Sequence, residues 1–337
     1  METNVLISKL ACGIGSLVRF RVLPVVLIGL TSLFSGATPS SPKSETRQSG
    51  YQQFFVGDKQ VIALSDGTVP VKASWLLHSH EPNKVADLLR QEHLTDPVEV
   101  SINAYLIKLA DKLVLLDTGA GELFGPEHGG KLLANLQAAG YSPEQITDIL
   151  ITHIHLDHSG GLTAINRRLF PNATVHVNQK ELDFWLTHQT PKKNEARGIK
   201  DNRTAFLTLK PYLDAGQVRS FAGDTSLFKE VRAVEYAGHT PGHTVFVLES
   251  QNEKLVFWGD LIHVAAVQLH APEMANEFDF DKERAGAQRQ RAYQQAAEEG
   301  YLVAADHIAF PGIGRIKKEA SSYRWRPLPY TLLGRTQ

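Results

Sequence analysis

The chain has 337 residues, of which 42% are hydrophobic and 21% are charged. These values exclude a disordered or fibrous protein and are typical of a globular protein with a large core, in one domain or two. The formal net charge is −1, and neither end carries a block of like charges. The sequence therefore gives no indication of a nucleic-acid-binding surface.

The first 37 residues have the pattern of a secretory signal. Three basic residues precede an apolar run over residues 22–34, and three small residues follow the run. The run is short for a transmembrane helix, so we expect a cleaved signal peptide over residues 1–37 rather than an uncleaved anchor. The protein would then be secreted to the periplasm without a stable membrane anchor.

Cleavage would change the cysteine content and the charge of the chain. Cys12 is the only cysteine, so the mature protein would have neither disulfides nor thiolate metal ligands. Three basic residues and one acidic residue would be lost, so 35 basic and 36 acidic residues become 32 and 35, a net charge of −3. Residues 38–50 are polar and rich in proline and serine, which predicts a flexible linker before one domain over residues 51–337.

The first half of this domain predicts mainly strands. Apolar runs on both sides of Gly57-Asp58, within residues 54–64, indicate a β-hairpin. The other predicted elements are a helix over 85–92, paired strands over 101–109 and 112–116, a helix over 131–139, and a buried strand over 148–151.

The second half predicts a second series of strands. Residues 162–168 are compatible with a helix, and Asn178 and Glu181 have the spacing of a capping box for a helix that ends near Thr187. The remaining predictions are strands over 174–177, 218–221, 231–236, 244–249, 254–258 and 301–305, and a long helix over 282–299. Two series of strands, each followed by helices, predict a mixed α/β (α+β) fold with two packed sheets and helices outside, an αββα sandwich.

The densest group of metal-binding residue types follows the strand over 148–151. His153 and His155 are two positions apart, so a near-extended backbone turns both rings to one side, where they can hold one cation. Asp157 and His158 then turn toward a second cation. A solvated histidine-rich loop is the alternative, but four such residues within six positions after a strand favour a metal site. Imidazole and carboxylate without sulfur suit zinc or a similar divalent metal.

This spacing, His-x-His-x-Asp-His, resembles the signature of the metallo-β-lactamase superfamily, where it begins a dinuclear metal site. The loop Gly238–Thr244 resembles a second motif of that superfamily, and the resemblance assigns His243 to the first metal and loop packing to His239. Asp117, which follows an early strand, resembles a residue that supports the metal loop. The resemblance implies that His153, His155 and His243 hold the first metal, that Asp157, His158 and His307 hold the second, and that Asp260 bridges both.

Other stretches along the domain resemble methyl parathion hydrolases and related lactonases. They are Ala63–Thr68, Leu115–Ala120, Leu123–Pro126, Asp183–Leu186, Gly259–Ile262, Val264–Gln268 and Phe310–Gly314. The resemblance implies that Phe124 and Trp185 hold an aryl group of the substrate, with core packing as the alternative for each. His263 departs from the organophosphate hydrolases, where an apolar residue is expected, and its ring could hydrogen-bond a lactone oxygen.

The sequence thus predicts a hydrolase with two divalent metal ions, zinc in the first place and manganese, iron or cobalt as alternatives. A hydroxide held between the metals, beside the catalytic residues Asp260 and Asp157, would attack lactones or aryl esters such as dihydrocoumarin. The main alternative is an organophosphorus hydrolase, followed by a glyoxalase-type thioesterase and a non-catalytic metal-binding protein. The expected partner is a small-molecule ester, without nucleic acid. The aromatic segment Tyr323–Pro327 predicts either a homodimer contact or a return onto the core.

Overall fold

Two β-sheets packed face to face carry the fold. The structure is a computed structural model that describes residues 48–165, 167–187 and 202–334. The predicted signal over 1–37 and most of the predicted linker over 38–50 lie outside these residues, so both stay predictions. All described residues belong to one compact unit.

The first sheet has both antiparallel and parallel neighbours. Its strands lie side by side in the order β1 (Tyr51–Val56), β2 (Lys59–Val71), β3 (Val98–Lys108), β4 (Leu113–Leu116), β5 (Asp148–Leu150), β8 (Thr174–Asn178) and β9 (Val218–Phe221). Strands β1 to β4 are antiparallel neighbours, and the turn at Gly57-Asp58 confirms the predicted hairpin. Strands β4, β5, β8 and β9 run parallel, so their carboxyl ends meet at one edge of the sheet.

The second sheet is antiparallel except at one pair. Its strands lie in the order β10 (Thr225–Ser226), β11 (Val231–Glu235), β12 (Thr244–Ser250), β13 (Glu253–Phe257), β14 (Leu302–Ala304), β15 (Ile313–Glu319) and β16 (Ser322–Pro327). Strands β13 and β14 run parallel. The hairpin β15–β16 was not predicted. Tyr323 and Trp325 on β16 pack against the core, which is the second of the two alternatives for this segment, and the homodimer stays a prediction.

The residues that the structure describes also form eight α-helices. They are α1 (Ala73–Leu76), α2 (Lys84–Gln91), α3 (Leu132–Ala138), α4 (Leu156–Ser159), α5 (Gln179–Thr187), α6 (Asn202–Asp214), α7 (Ala265–Gln268) and α8 (Lys282–Glu299). The helices predicted over 85–92, 131–139 and 282–299 are confirmed as α2, α3 and α8. None of the helices within the described ranges has the length and apolar character needed to span a membrane.

The helix predicted over residues 162–168 is wrong. The chain leaves a short 3-10 turn at Leu162 and forms two two-residue strands, β6 (Thr163–Ala164) and β7 (Arg167–Arg168), that pair antiparallel. Ile165 between them has a φ of 49° and an almost fully exposed side chain. A left-handed backbone at this point reverses the chain, so a right-handed helix cannot continue through it.

Three apolar layers hold the sheets and their covering helices together, and a fourth apolar cluster joins α1, α2 and α7 to the ends of β2 and β3. The layer between the sheets contains large rings such as Phe54, Tyr105, Phe246 and Phe257. A second layer packs α3, α5 and α6 against the first sheet, and a third packs α8 against the second, with Trp258 and Tyr293 stacked 5.3 Å apart. The architecture is the predicted αββα sandwich.

Strand β5, which leads into the histidine-rich loop, is tied to its neighbours by an ion pair. Asp148 accepts hydrogen bonds from Lys112 Nζ on the β4 side at 2.9 Å and from His176 Nε2 on β8 at 2.8 Å. Burial alone would raise the pKa of Asp148, but the His176 and Lys112 hydrogen bonds outweigh burial and lower the pKa from 3.8 to about 2. The ionised carboxylate therefore stabilises the native state.

We expect Asp148→Asn to lower the free energy of unfolding at pH 7 by about 1–2 kcal/mol, measured by urea denaturation. Because the native pKa lies below the unfolded value, this contribution is complete above about pH 5 and is lost as the pH falls toward 2. The difference between variant and wild type should shrink over that range. Asp87→Asn, which removes an exposed pair with Arg90, is the control and should change stability by less than about 0.5 kcal/mol. A difference that stays constant between pH 7 and pH 3 would contradict the assignment.

Candidate metal centre

The predicted ligand residues lie where strands end. His153 and His155 follow β5, and Asp260 and His307 follow the parallel strands β13 and β14. The loop between β11 and β12 approaches from the side and carries His239 and His243. Because carboxyl ends of parallel strands gather at one edge of a sheet, residues far apart in sequence meet here.

A first group of four ligand atoms forms around Asp260 Oδ2. His153 Nε2 and His155 Nδ1 are 2.9 Å apart, and His239 Nε2 is 3.1 Å from His155 Nδ1 and 2.9 Å from Asp260 Oδ2. All four atoms lie within 4.8 Å of one another. The group contains His239, which the sequence analysis assigned to loop packing.

The assignment of His243 to this group is corrected by the structure. The Nε2 atom of His243 accepts a hydrogen bond from the backbone N–H of Asp260 at 3.0 Å, so its lone pair is already used. Gly259 also packs tightly against His243, because a Cβ at residue 259 would lie 2.8 Å from the same Nε2 atom. His243 therefore supports the backbone that presents Asp260, and His239 is the ligand-type residue of this loop that faces the group.

A second group faces the other oxygen of Asp260. His158 Nε2 lies 3.0 Å and His307 Nε2 lies 2.9 Å from Asp260 Oδ1. Asp157 completes the group, with Oδ2 3.5 Å from His307 Nε2. Asp260 thus directs one carboxylate oxygen to each group, as the predicted bridging role requires.

The far nitrogen of each of four histidines in the two groups is held by a specific partner. His158 Nδ1 lies 2.8 Å from Asp117 Oδ2, His239 Nδ1 lies 2.8 Å from Asp279 Oδ1, and His307 Nδ1 lies 2.8 Å from the carbonyl oxygen of Ser101. His153 Nδ1 lies 3.1 Å from Thr152 Oγ1. These contacts place a proton on the far nitrogen, so the near nitrogen is the atom that can bind a cation once it has released its own proton.

Asp117 has the supporting role that the sequence predicted. Its carboxylate accepts hydrogen bonds from the backbone N–H and the hydroxyl of Thr152 at 2.8 and 2.7 Å, in addition to the contact with His158. Thr152 directly precedes the ligand-rich loop. Asp117 therefore fixes both the start of the loop and the orientation of one of its rings.

Burial and mutual charge shift the pKa values of this cluster in opposite directions. Burial and then the neighbouring His239 lower the pKa of His155 to about 3. Burial would also lower the pKa of His239 and of His307, but Asp260 outweighs it and raises both to about 9. Burial would raise the pKa of Asp260, yet His158 and His307 hold it well below its usual range. The carboxylate is therefore ionised and surrounded by groups that can neutralise it.

A cavity of about 370 Å³ opens directly onto the two groups. Its floor includes His155, Asp157, Asp260 and His307, and the rest of its lining is mainly apolar: Val69, Val71, Trp75, Leu76, Val100, Ile102, Phe124, Ile154, Leu156, Trp185 and Phe278. The three residues predicted to bind substrate, Phe124, Trp185 and His263, all line it. Trp185 is buried and presents its ring to His155, with centroids 5.6 Å apart.

His263 is the polar exception in the cavity wall, and its contacts define its tautomer. Asn276 Oδ1 accepts a hydrogen bond from the N–H of Phe278, so Asn276 Nδ2 is the atom that faces His263 Nδ1 at 3.1 Å. Nδ1 must then be the acceptor, and Nε2 carries the proton. Nε2 lies 3.0 Å from Asp260 Oδ2 and donates to it. In this arrangement the Nε2 proton of His263 is donated to Asp260, and a contact with a lactone oxygen stays a prediction.

The sequence profile of the metallo-beta-lactamase superfamily matches residues 97–316, which include every member of both groups. The chain belongs to the metallo-beta-lactamase superfamily. The predicted resemblance at this level is therefore confirmed, and the αββα sandwich is the fold of that superfamily.

Within the superfamily, the chain is similar to two proteins of solved structure and to one curated relative. A hydrolase of the beta lactamase superfamily, AbOPH, shares 34% identity with a TM-score of 0.79 and covers 85% of this chain and 99% of its own. AidC, a dizinc quorum-quenching lactonase, shares 29% with a TM-score of 0.77 and covers 84% and 98%. The atrochrysone carboxyl ACP thioesterase nsrC of Aspergillus novofumigatus is 29% identical over 158 residues, which are 47% of this chain and only 37% of that relative.

The two groups fit the divalent metals that members of this superfamily hold. Ligand atoms around a tetrahedral zinc ion, bound at about 2.0–2.1 Å, are separated by about 3.3 Å. In the first group four of the six pairs of ligand atoms are 2.9 to 3.4 Å apart, and all lie within 4.8 Å. In the second group, His158 Nε2, His307 Nε2 and Asp260 Oδ1 are buried and make no hydrogen bond to any described residue. Buried polar atoms that converge without hydrogen bonds are typical of metal ligands.

Several functional residues in this superfamily protein had no usable signal in the sequence. Asp279 and Asn276 are distant from the motifs, and Asp306 directly precedes His307 but has no ligand spacing of its own. They contact His239, His263 and His158 respectively. Burial and the nearby Asp117 raise the pKa of Asp306 to about 8. Glu181, which has the spacing of a capping residue, is instead buried beside the ligand loop. Each of these residues acts through folded contacts that sequence spacing does not encode.

Proposed function

We propose that this protein is a dinuclear metal-dependent hydrolase of lactones or aryl esters. The observation that carries the proposal is the apolar cavity of about 370 Å³ whose floor is formed by the two ligand groups. Such a cavity favours a substrate with an aryl or other apolar part and one polar bond that must reach the floor. The similarity to a dizinc lactonase supports a lactone substrate, and the similarity to a superfamily hydrolase supports hydrolysis in general.

The residues around the cavity would have separate roles in ester hydrolysis, either binding a cation or orienting the substrate. His153, His155, His239 and Asp260 would hold one cation, and Asp157, His158, His307 and Asp260 the other. Two divalent cations, zinc in the first place and manganese, iron or cobalt as alternatives, would polarise the ester carbonyl and activate water for attack. Trp185 and Phe124 would orient the aryl group and exclude water. An aryl oxide leaves with little need for protonation, so no separate general acid is required.

An organophosphorus hydrolase is the second candidate, because most of the cavity wall is apolar and would accept an aryl phosphotriester. His263 is the feature that favours the lactone or aryl ester, since its ring is the polar part of an otherwise mainly apolar wall and Asn276 holds it there from behind the wall. We also propose that the protein acts after secretion to the periplasm.

The proposal is tested by the kinetics of the mature, metal-loaded protein on dihydrocoumarin and on methyl parathion under one set of conditions. We expect kcat/KM to be at least about a hundredfold higher for the lactone, which corresponds to about 2.7 kcal/mol of transition-state preference. A reversed ratio would make the protein an organophosphorus hydrolase. Turnover of neither substrate, with hydrolysis of an acyl thioester, would support a thioesterase instead.

We expect His263→Leu to raise kcat/KM for methyl parathion relative to dihydrocoumarin by about tenfold, or about 1.4 kcal/mol. The substitution removes the polar part of the wall and the donor to Asp260, which makes the cavity more suitable for a phosphotriester. The same histidine-to-leucine change at His80, which is exposed, is the matched control and should leave the ratio unchanged. An unchanged ratio in His263→Leu would remove this residue from the account of specificity.

A further inference from the structure

Glu181, on helix α5, is a fully buried carboxylate beside the candidate metal centre that belongs to neither ligand group. Its position three residues after Asn178 suggests a capping box, but the structure has a simpler N-cap in place of that motif. Asn178 Oδ1 accepts from the N–H of Lys180 at 2.9 Å, while the Glu181 side chain turns inward. None of the ion pairs found among the described residues includes Glu181.

Three N–H groups from three separate parts of the site converge on this carboxylate. Oε2 accepts from the backbone N–H of Ile154 at 3.0 Å and from the indole N–H of Trp185 at 2.8 Å. Oε1 accepts from the backbone N–H of Gly242 at 2.7 Å. A buried carboxylate without an opposite charge is stable only if hydrogen-bond donors satisfy it, and these three donors do so.

Two of the three donors belong to the loops that carry the histidines of the first group. Ile154 lies between His153 and His155, so its backbone carries two ligand-type residues of the first group. Gly242 lies in the loop that carries His239, the third histidine of that group. Glu181 therefore connects the two loops that must meet for the first group to exist, and its hydrogen bonds go to the backbone of these loops and to Trp185.

The packing at Gly242 shows how closely the second loop rests on Glu181. A Cβ at Gly242 would lie 2.7 Å from the backbone nitrogen of Glu181 and 2.9 Å from its Cγ. Contacts below 3.0 Å force something to move, so only glycine permits this approach. The third donor, Trp185, fixes the ring that forms the cavity wall against His155.

We propose that Glu181 is a positioning residue that selectively sets the geometry of the first metal site, by clamping the His153–His155 loop to the His239 loop. The second site, formed by Asp157, His158 and His307, is oriented instead by Asp117 and by the Ser101 carbonyl. This inference rests on the proposed metal centre. It makes Glu181 a support of the first site, whereas Asp117 holds His158 of the second site and, through Thr152, the start of the loop.

The test is a Zn²⁺ titration of the metal-free full-length protein against a chromogenic chelator, which reports two binding constants. In Glu181→Gln the side-chain amide directs N–H toward at least one of the three donors. We expect Zn²⁺ affinity at one site to fall by about tenfold or more while the other stays within about threefold of wild type. Asp183→Asn removes a carboxylate from an exposed position on the same helix and should bind both ions as wild type does.

Gly242→Ala provides a second route to the same answer if Glu181→Gln does not fold. Its Cβ would push the His239 loop away from Glu181 without changing any charge, and we expect the same selective loss at one site. Equal weakening of both sites, or two wild-type affinities in the folded variants, would overturn the proposal. If the wild-type protein itself binds no Zn²⁺, the proposed metal centre fails, which is a different result from the failure of the Glu181 clamp.

Discussion

Burying the carboxylate of Asp260 between two groups of imidazoles costs solvation free energy that only opposite charge or ligation can offset. One oxygen faces His153, His155 and His239, and the other faces His158 and His307. The mutual shifts in pKa, with Asp260 held low and His239 and His307 raised to about 9, express the same attraction. Every other contact in the site serves to bring these groups to one carboxylate.

The sandwich fold brings the ligand-type residues together at one edge. Strands β4 and β5 in one sheet and β13 and β14 in the other run parallel in pairs, and their carboxyl ends open toward the same cavity. The apolar layers lock the sheets together, so the loops inherit fixed starting points. Buried polar residues, above all Asp117, Asp279 and Glu181, then set the directions of individual rings. A metal centre of this kind depends on the supporting hydrogen bonds as much as on the ligands themselves.

Much of this could be predicted from the sequence, because the strongest signals are local. The His-x-His-x-Asp-His spacing after an apolar strand is enough to predict a metal loop, and Asp260 and His307 also stand directly after strands. The choice between His239 and His243 could not be made locally. Both lie in one glycine-rich loop, and what separates them is a hydrogen bond from the backbone of Asp260, which is distant in sequence.

Tertiary contacts also account for the other places where the structure differs from the sequence-based predictions. The segment over 162–168 has helix-compatible composition, but a positive φ at Ile165 turns it into a short hairpin. The contact of His263 with Asn276 depends on a loop that returns to the site from thirteen residues downstream, and this contact fixes the tautomer in which His263 donates to Asp260. Glu181 satisfied a local capping pattern, while its side chain was needed to join two distant loops. In each case a tertiary contact decided among options that were locally equivalent.

The most direct test of the account is anomalous diffraction, at the zinc absorption edge, from crystals of the protein loaded with Zn²⁺. We predict two peaks about 3.5–4 Å apart, one on each side of the Asp260 carboxylate. The first peak should be within bonding distance of His153, His155 and His239, with His243 uncoordinated. A single peak, or a first peak bonded to His243 in place of His239, would contradict the central claim that Asp260 joins these two groups into one dinuclear centre.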